Sequence, residues 1–229
     1  MPSGFQLFAQ DGSGAALVDG TYQNYFLRTK QVVTFNQHYL FGQGGSGCGE
    51  ASITVTCNTT PVVVTSGPLA SDLAITPPSS GHGTPGQYTI YLMGAYNSTA
   101  TVYVFDTLAD ADVANIKYGL VVYGPDGKKV IFSVTSKPLR VVGTLTANKN
   151  SPTGIAVPAG KTYGVLCNGG FYTTVLSPNP VIYGYFGYCG AITASGYATI
   201  GILETGSSQG TAVQMSDSTT AFIVDVTGY

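Results

Sequence analysis

The run Gly4-Phe5-Gln6-Leu7-Phe8-Ala9-Gln10-Asp11-Gly12 returns half a chain later as Gly119-Leu120-Val121-Val122-Tyr123-Gly124-Pro125-Asp126-Gly127. Both runs read glycine, apolar, variable, apolar, aromatic, two variable residues and Asp-Gly. Three further echoes follow in the same order. Ile53-Thr54-Val55-Thr56-Cys57-Asn58 answers to Tyr163-Gly164-Val165-Leu166-Cys167-Asn168, and Thr89-Ile90 with Leu92 to Thr199-Ile200 with Ile202. Tyr103-Val104-Phe105-Asp106 answers to Phe222-Ile223-Val224-Asp225. Short β-strands resemble one another through their shared Val, Ile, Tyr and Thr content, but four matches in one order favour a copied unit. They predict two tandem, internally duplicated β-sandwich-like modules, residues 1–112 and 113–229. Each is long enough to bury its own core without disulfides or metals.

An all-β fold follows from the punctuation of the chain. Helical periodicity is nearly absent, and short β-branched or aromatic runs alternate with Gly, Pro, Asn and Ser. Strands are predicted at 5–9, 23–35, 52–57, 62–65, 88–93 and 99–105 in the first half. The second half offers 119–123, 130–135, 139–145, 162–167, 181–186, 197–203 and 220–226. Pro125-Asp126-Gly127 and Asp11-Gly12-Ser13-Gly14 supply turn chemistry, so a hairpin is expected to open each half. Between the halves, residues 108–115 exchange β-formers for Ala, Asp and Asn, and read as a solvated linker with one helical turn. Asp106, Asp110 and Asp112 do not form a calcium loop, because the glycine and terminal glutamate of such a loop are missing. The Gly-rich and Pro-rich stretches 42–49, 76–86 and 177–180 read as loops.

Charged residues make up only 9% of the chain, against about 25% in ordinary soluble domains. A polar but barely charged surface suits a protein held inside an assembly or one touching neutral glycans. Nine Lys and Arg against eleven Asp and Glu leave a net charge of −2 and no basic run for phosphates, so a nucleic-acid partner is not expected. No apolar run reaches the ~18 residues that cross a bilayer, and the start lacks a secretory pattern, so neither membrane insertion nor export is expected. The reading is a protein made and assembled in the cytoplasm.

Chemistry-bearing residues are few. His38 and His82 stand beside loop sequence with no partner at metal or nucleophile spacing, and both read as exposed or locally bonded imidazoles. Glu50 and Glu204 are the only glutamates, and nothing in the sequence couples them as a glycosidase dyad. No catalytic residue, metal ligand or cofactor is predicted. Cys48, Cys57, Cys167 and Cys189 show no metal-site pattern and read best as buried thiols, with a Cys48–Cys57 hairpin bridge as the alternative. Sixteen tyrosines and no tryptophan point to binding. The densest group is Tyr172, Tyr183, Tyr185 and Tyr188, which fills a core or forms an interface or glycan-contact patch. Alternation along a strand would place Tyr183 and Tyr185 on one face, with Phe186 and Tyr188 on the other.

The paired opening motif resembles small tail and tail-tip proteins of tailed bacteriophages. In those proteins a Gly-apolar-x-apolar-aromatic strand, a Gly turn and an apolar return strand precede a strand carrying an apolar-Arg pair. Here Leu17-Val18 and Leu27-Arg28 follow the first copy. Val130-Ile131-Phe132 and Leu139-Arg140 follow the second. The resemblance covers the first ~35 residues of each half. It implies a non-enzymatic virion structural protein of a tail tip, baseplate or fibre attachment region, partnered by other tail proteins and possessing a host-facing surface. Three copies would present six modules, so a trimer is the expected homo-oligomer. A glycan-binding or adhesin module is the alternative. A capsid decoration protein or a hydrolase using Glu50 or Glu204 stands behind both.

Overall fold

A computed structural model describes residues 6–8, 16–19, 24–37, 48–109, 112, 114, 121–123, 130–133, 135–148, 153–167, 171–178, 181–209 and 218–229. The chain is all-β and sandwich-like, with two large antiparallel sheets. Its strands in the first half are β1 (Gln6–Phe8), β2 (Ala16–Asp19), β3 (Tyr25–Thr34), β4 (Cys48–Cys57), β5 (Val62–Ser66), β6 (Ala70–Thr76), β7 (Gly86–Ala95) and β8 (Thr99–Thr107). The second half contributes β9 (Val121–Tyr123), β10 (Val130–Ser133), β11 (Val141–Asn148), β12 (Gly154–Ala156), β13 (Tyr163–Cys167), β14 (Phe171–Pro178), β15 (Val181–Ile192), β16 (Tyr197–Gln209) and β17 (Ser218–Asp225). The strands of both expected hairpins pair antiparallel, β1 with β2 and β9 with β10; their turns lie outside the described residues.

The first large sheet runs β11-β17-β13-β5-β8-β3, and the second β12-β16-β15-β6-β7-β4 with β14 beside β15. Each sheet therefore takes strands from both halves. Read from its two ends inward, the first sheet gives β3, β8, β5 and β11, β17, β13. The second gives β4, β7, β6 and β12, β16, β15, so the strand order of the halves corresponds and only β14 is extra. Three of the four repeated phrases fall on corresponding strands: β1 and β9, β7 and β16, β8 and β17. The fourth does not. Ile53 to Cys57 lie in β4 of the second sheet, whereas Tyr163 to Cys167 form β13 of the first, whose counterpart is β5. Shared strand composition produced that match.

The halves meet where Thr65 pairs with Val165 and Ala70 with Gly190. Side chains reinforce the join: Ser66 Oγ donates to the Tyr163 carbonyl at 2.6 Å, and Thr65 Oγ1 to the Val165 carbonyl at 3.4 Å. Close approach depends on glycine. A Cβ on Gly164 would lie 2.5 Å from Val64 Cγ1, and one on Gly190 would lie 2.3 Å from Val165 Cγ1. The 112/113 division thus separates two sets of strands that share both sheets.

Alternation explains the burial. Val102 and Val104 of β8 enter the core between the first-half strands, with Phe35, Ile53, Tyr88 and Ile90. Ile223 of β17 enters the core between the second-half strands, with Val165, Tyr188 and Ile200. The opposite-facing Tyr103, Phe105 and Val224 are also buried, in a third cluster completed by Tyr25, Leu27, Leu139 and Tyr229. That cluster exists because the first sheet curls shut at one end. Leu27 N–H donates to the Lys137 carbonyl at 2.8 Å and Leu139 N–H to the Tyr25 carbonyl at 2.7 Å, joining β3 to the residues that lead into β11. This closure covers the edge of β3 at Tyr25 and Leu27 and stops short of β11, which pairs with β17 alone among the described strands.

Candidate interaction surfaces

Each half ties its first long strand to its last with a buried aspartate. Asp106, near the end of β8, is 1% exposed and accepts from Arg28 Nη2 at 3.1 Å, the Asn58 amide at 2.5 Å and the Thr59 amide at 3.1 Å. Arg28 also grips Asp112, at 2.6 and 3.2 Å. In the second half Asp225, at the end of β17, meets Arg140 at 3.5 Å and Lys161 at 3.2 Å, and accepts from the Thr227 amide at 2.9 Å. The two arginines are those of the Leu27-Arg28 and Leu139-Arg140 pairs, and the two aspartates close the Tyr103 and Phe222 phrases. The repeat contained this signal, an Arg early and an Asp late in each half, but strand composition alone does not say that they meet.

Asp112 and Ala114 of the expected linker are exposed, as a solvated segment would be, yet Asp112 also ties the segment down. Asp112 is a tether: Asn58 Nδ2 donates to it at 3.0 Å and the Ala109 amide at 2.7 Å. Burial pushes its carboxyl up, but the bonds from Arg28, Ala109 and Asn58 outweigh that and hold it below its ordinary value. Asp225 behaves alike, with Thr227, Lys161 and Arg140 outweighing burial. A carboxyl whose pKa is lowered by folding stabilises the fold fully above its unfolded value, near 3.8, and loses that contribution as pH falls through the folded one. The urea midpoint is therefore expected to drop below pH 4, and to drop less in Asp225→Asn. A cleft of about 370 Å³ lined by Arg28, Asp106, Asp112, Ser136 and Lys137 adjoins the first tether. Its lining sets Arg28 and Lys137 against Asp106 and Asp112, and Lys137 Nζ donates to the Gly228 carbonyl at 2.5 Å.

The tyrosine group is split. Tyr188 is fully buried in the second-half core, which corrects its assignment as a contact residue: its ring is packed between the sheets. Tyr183 and Tyr185 lie in β15, opposite Val175 and Thr173 of β14, and Tyr172 lies opposite Phe186. Their side chains fall outside the described structure. Glu50 is buried in β4, and Glu204 lies in β16 next to Leu203, which shares a buried cluster with Cys48 of β4. The side chain of Glu204 falls outside the described structure. His82 is exposed in a loop and His38 lies outside the described residues. The four cysteines are free and buried. Cys48 and Cys57 end the same ten-residue strand, about 30 Å apart, which rules out the hairpin bridge. Burial pushes the thiols of Cys57 and Cys167 up to about 12 and that of Cys48 to about 11, leaving them unreactive.

Exposed apolar side chains gather on one flank. Of the eight large exposed hydrophobics among the described residues, five are Val141, Val142, Ile155, Tyr197 and Phe222, with Val142 at 52%. Val141 and Val142 lie on β11 and Ile155 on β12, the outermost strands of the two sheets at the second-half end. Tyr197 and Phe222 lie on their immediate neighbours, β16 and β17. Thr153 Oγ1 donates to the Thr146 carbonyl at 2.6 Å, so the two edges run side by side. No charged residue interrupts β11, β12 or residues 197–203 and 218–224.

No family model, curated protein or solved structure matches this chain.

A second feature is a face of hydroxyls on the outer side of the second sheet. Ser52, Thr54 and Thr56 of β4 are exposed beside Gln87, Thr89 and Tyr91 of β7, and Thr54 Oγ1 lies 3.5 Å from Thr89 Oγ1. Such a face hydrogen-bonds water or sugar hydroxyls with equal ease and carries no charge.

Proposed function

We propose that this chain is a structural component of a bacteriophage tail tip, baseplate or fibre attachment region, acting by packing its sheet flank against a neighbouring tail protein. The observation that carries the reading is the uncharged apolar flank of β11 and β12, bounded by Val142 and Ile155. Unpaired outer strands with exposed valine and isoleucine are templates for association, and isolated soluble proteins usually cover or charge them. The low charge of the whole chain and the resemblance of its opening motifs to tail proteins point the same way. The corresponding strand orders support descent from one copied β unit, which would give an assembly two similar surfaces per chain. The ion pairs at Asp106 and Asp225 tie strands together.

Replacing Val142 and Ile155 by lysine is expected to cut incorporation into tail particles at least about tenfold. The unfolding free energy should stay within about 0.5 kcal/mol, as for other exposed substitutions. Quantitative mass spectrometry of purified particles reads the first and urea unfolding the second. A wild-type protein that never co-purifies with tail proteins would defeat the proposal. The hydroxyl face favours a second reading, a neutral-glycan contact at Thr54, Thr89 and Tyr91. Glycan-array binding lost in Tyr91→Ala would support it.

A further inference from the structure

The second sheet forks at the join between the halves. β6 pairs with β15 at Ala70 and Gly190 alone. From Gly187 outward the same flank of β15 belongs to β14, which pairs with it as far as Pro178 and Val181. One arm of the fork continues as β6 and β7, the other as the three-stranded ribbon of β14, β15 and β16. Asp72 lies at the crotch, two residues past Ala70, where a bulge between Asp72 and Ala74 breaks the register with β7. Its neighbour Ser71 is buried, with Oγ 3.8 Å from Cys189 Sγ on β15.

Asp72 is half-buried, and its carboxylate is aided only by its own amide. Among the described residues no Lys, Arg or His pairs with it. The titratable groups that feel its charge are Cys167 on β13 and Cys189 on β15, both raised further by it. Its partner across β7 is Leu92, which offers nothing to compensate a charge. A carboxylate buried without a cation is costly, and the neutral acid escapes most of that cost.

We propose that the ionisation of Asp72 sets how tightly the two arms of the fork close, with the neutral acid holding β6 against β15 and the carboxylate loosening them by drawing in water. Burial pushes the Asp72 carboxyl up from 3.8 to about 6. Because folding raises this acid's pKa, its contribution is most favourable below the unfolded value and is lost as pH rises through about 6. The fork is therefore closed in mildly acidic surroundings and looser at neutral pH, opposite in sign to the tethers at Asp112 and Asp225.

Hydrogen–deuterium exchange, corrected for the intrinsic pH dependence of amide exchange, tests the switch on the full chain. Protection of residues 70–76 is expected to rise about tenfold between pH 7.5 and pH 5, the span that the linkage relation gives. Asp72→Asn should hold the high protection at both pH values, and a carbon-13 titration of the wild-type Asp72 carboxyl should show a midpoint near 6. Unchanged protection in the wild type, the same pH dependence in Asp72→Asn, or a midpoint near 3.8 would each overturn the proposal.

Discussion

Replacing Asp106 with alanine is expected to lower the unfolding free energy by about 3–5 kcal/mol, the cost of breaking a buried, fully bonded ion pair. Asp106 is 1% exposed and ties two other segments to β8: Arg28 from β3 and the backbone amides of Asn58 and Thr59 after β4. Alanine leaves those amides unpaired in a site too enclosed for water to serve them well, and it removes one of the two counter-charges of a guanidinium that is itself only 25% exposed. The comparison that isolates the effect is Asp112→Ala. That carboxylate also meets Arg28, but at 21% exposure, where an ion pair contributes about 0–1 kcal/mol. Urea unfolding at matched m-value reads both. A loss below about 1 kcal/mol for Asp106→Ala would mean that the segments are held by packing alone. Asp225→Ala should behave like Asp106→Ala, because it is equally enclosed at 3% exposure and equally bonded.

Gly190→Val is expected to cost about 3 kcal/mol, at the upper end of what overpacking a dense interior costs. The Cβ alone would lie 2.3 Å from Val165 Cγ1 and 2.5 Å from Val165 Cβ, well inside any real contact. Relief would require the second sheet to lift from the first where the halves meet. Gly190 is also the residue through which β15 pairs with β6, so the same movement unzips that pairing. Both halves should lose stability together, seen as one unfolding transition shifted to lower temperature. Two separated transitions in the variant, with one at the wild-type position, would show that the halves are held independently. Gly160→Ala is a poor control, since its φ of +80° strains any side chain; Ala194→Ser, exposed in the β15–β16 turn, should be neutral.

Much of this architecture was legible in the residues. Alternation of Val102, Tyr103, Val104 and Phe105 marks β8 as a strand, and the turn chemistry at Asp126-Gly127 marks the hairpin strands that flank it. β6 was not predicted, because Ala70, Ser71, Asp72 and Ala74 are weak β-formers held in place by β7. β12 is three residues long and wholly exposed, so it has no hydrophobic period to read. β14 has strong β composition, yet the aromatic run beside it reads as a surface motif. The sharing of both sheets between halves was illegible for a different reason: no local pattern states which edge meets which. The same limit hid the apolar flank. Val141 and Val142 look like any buried pair until the strand order places β11 at the end of its sheet. The Arg28–Asp106 and Arg140–Asp225 tethers occupy the middle ground, since their residues were visible in the repeat while their partnership was not.

A photo-reactive phenylalanine analogue placed at Val142, with the same analogue at Thr56 as a second site, reports directly on what the flank touches inside an assembled particle. If the β11–β12 flank is the docking face, irradiation joins position 142 to a neighbouring tail protein and leaves position 56 unattached to protein. Adducts formed from position 56 and not from 142, or none from either in intact tails, would contradict that role.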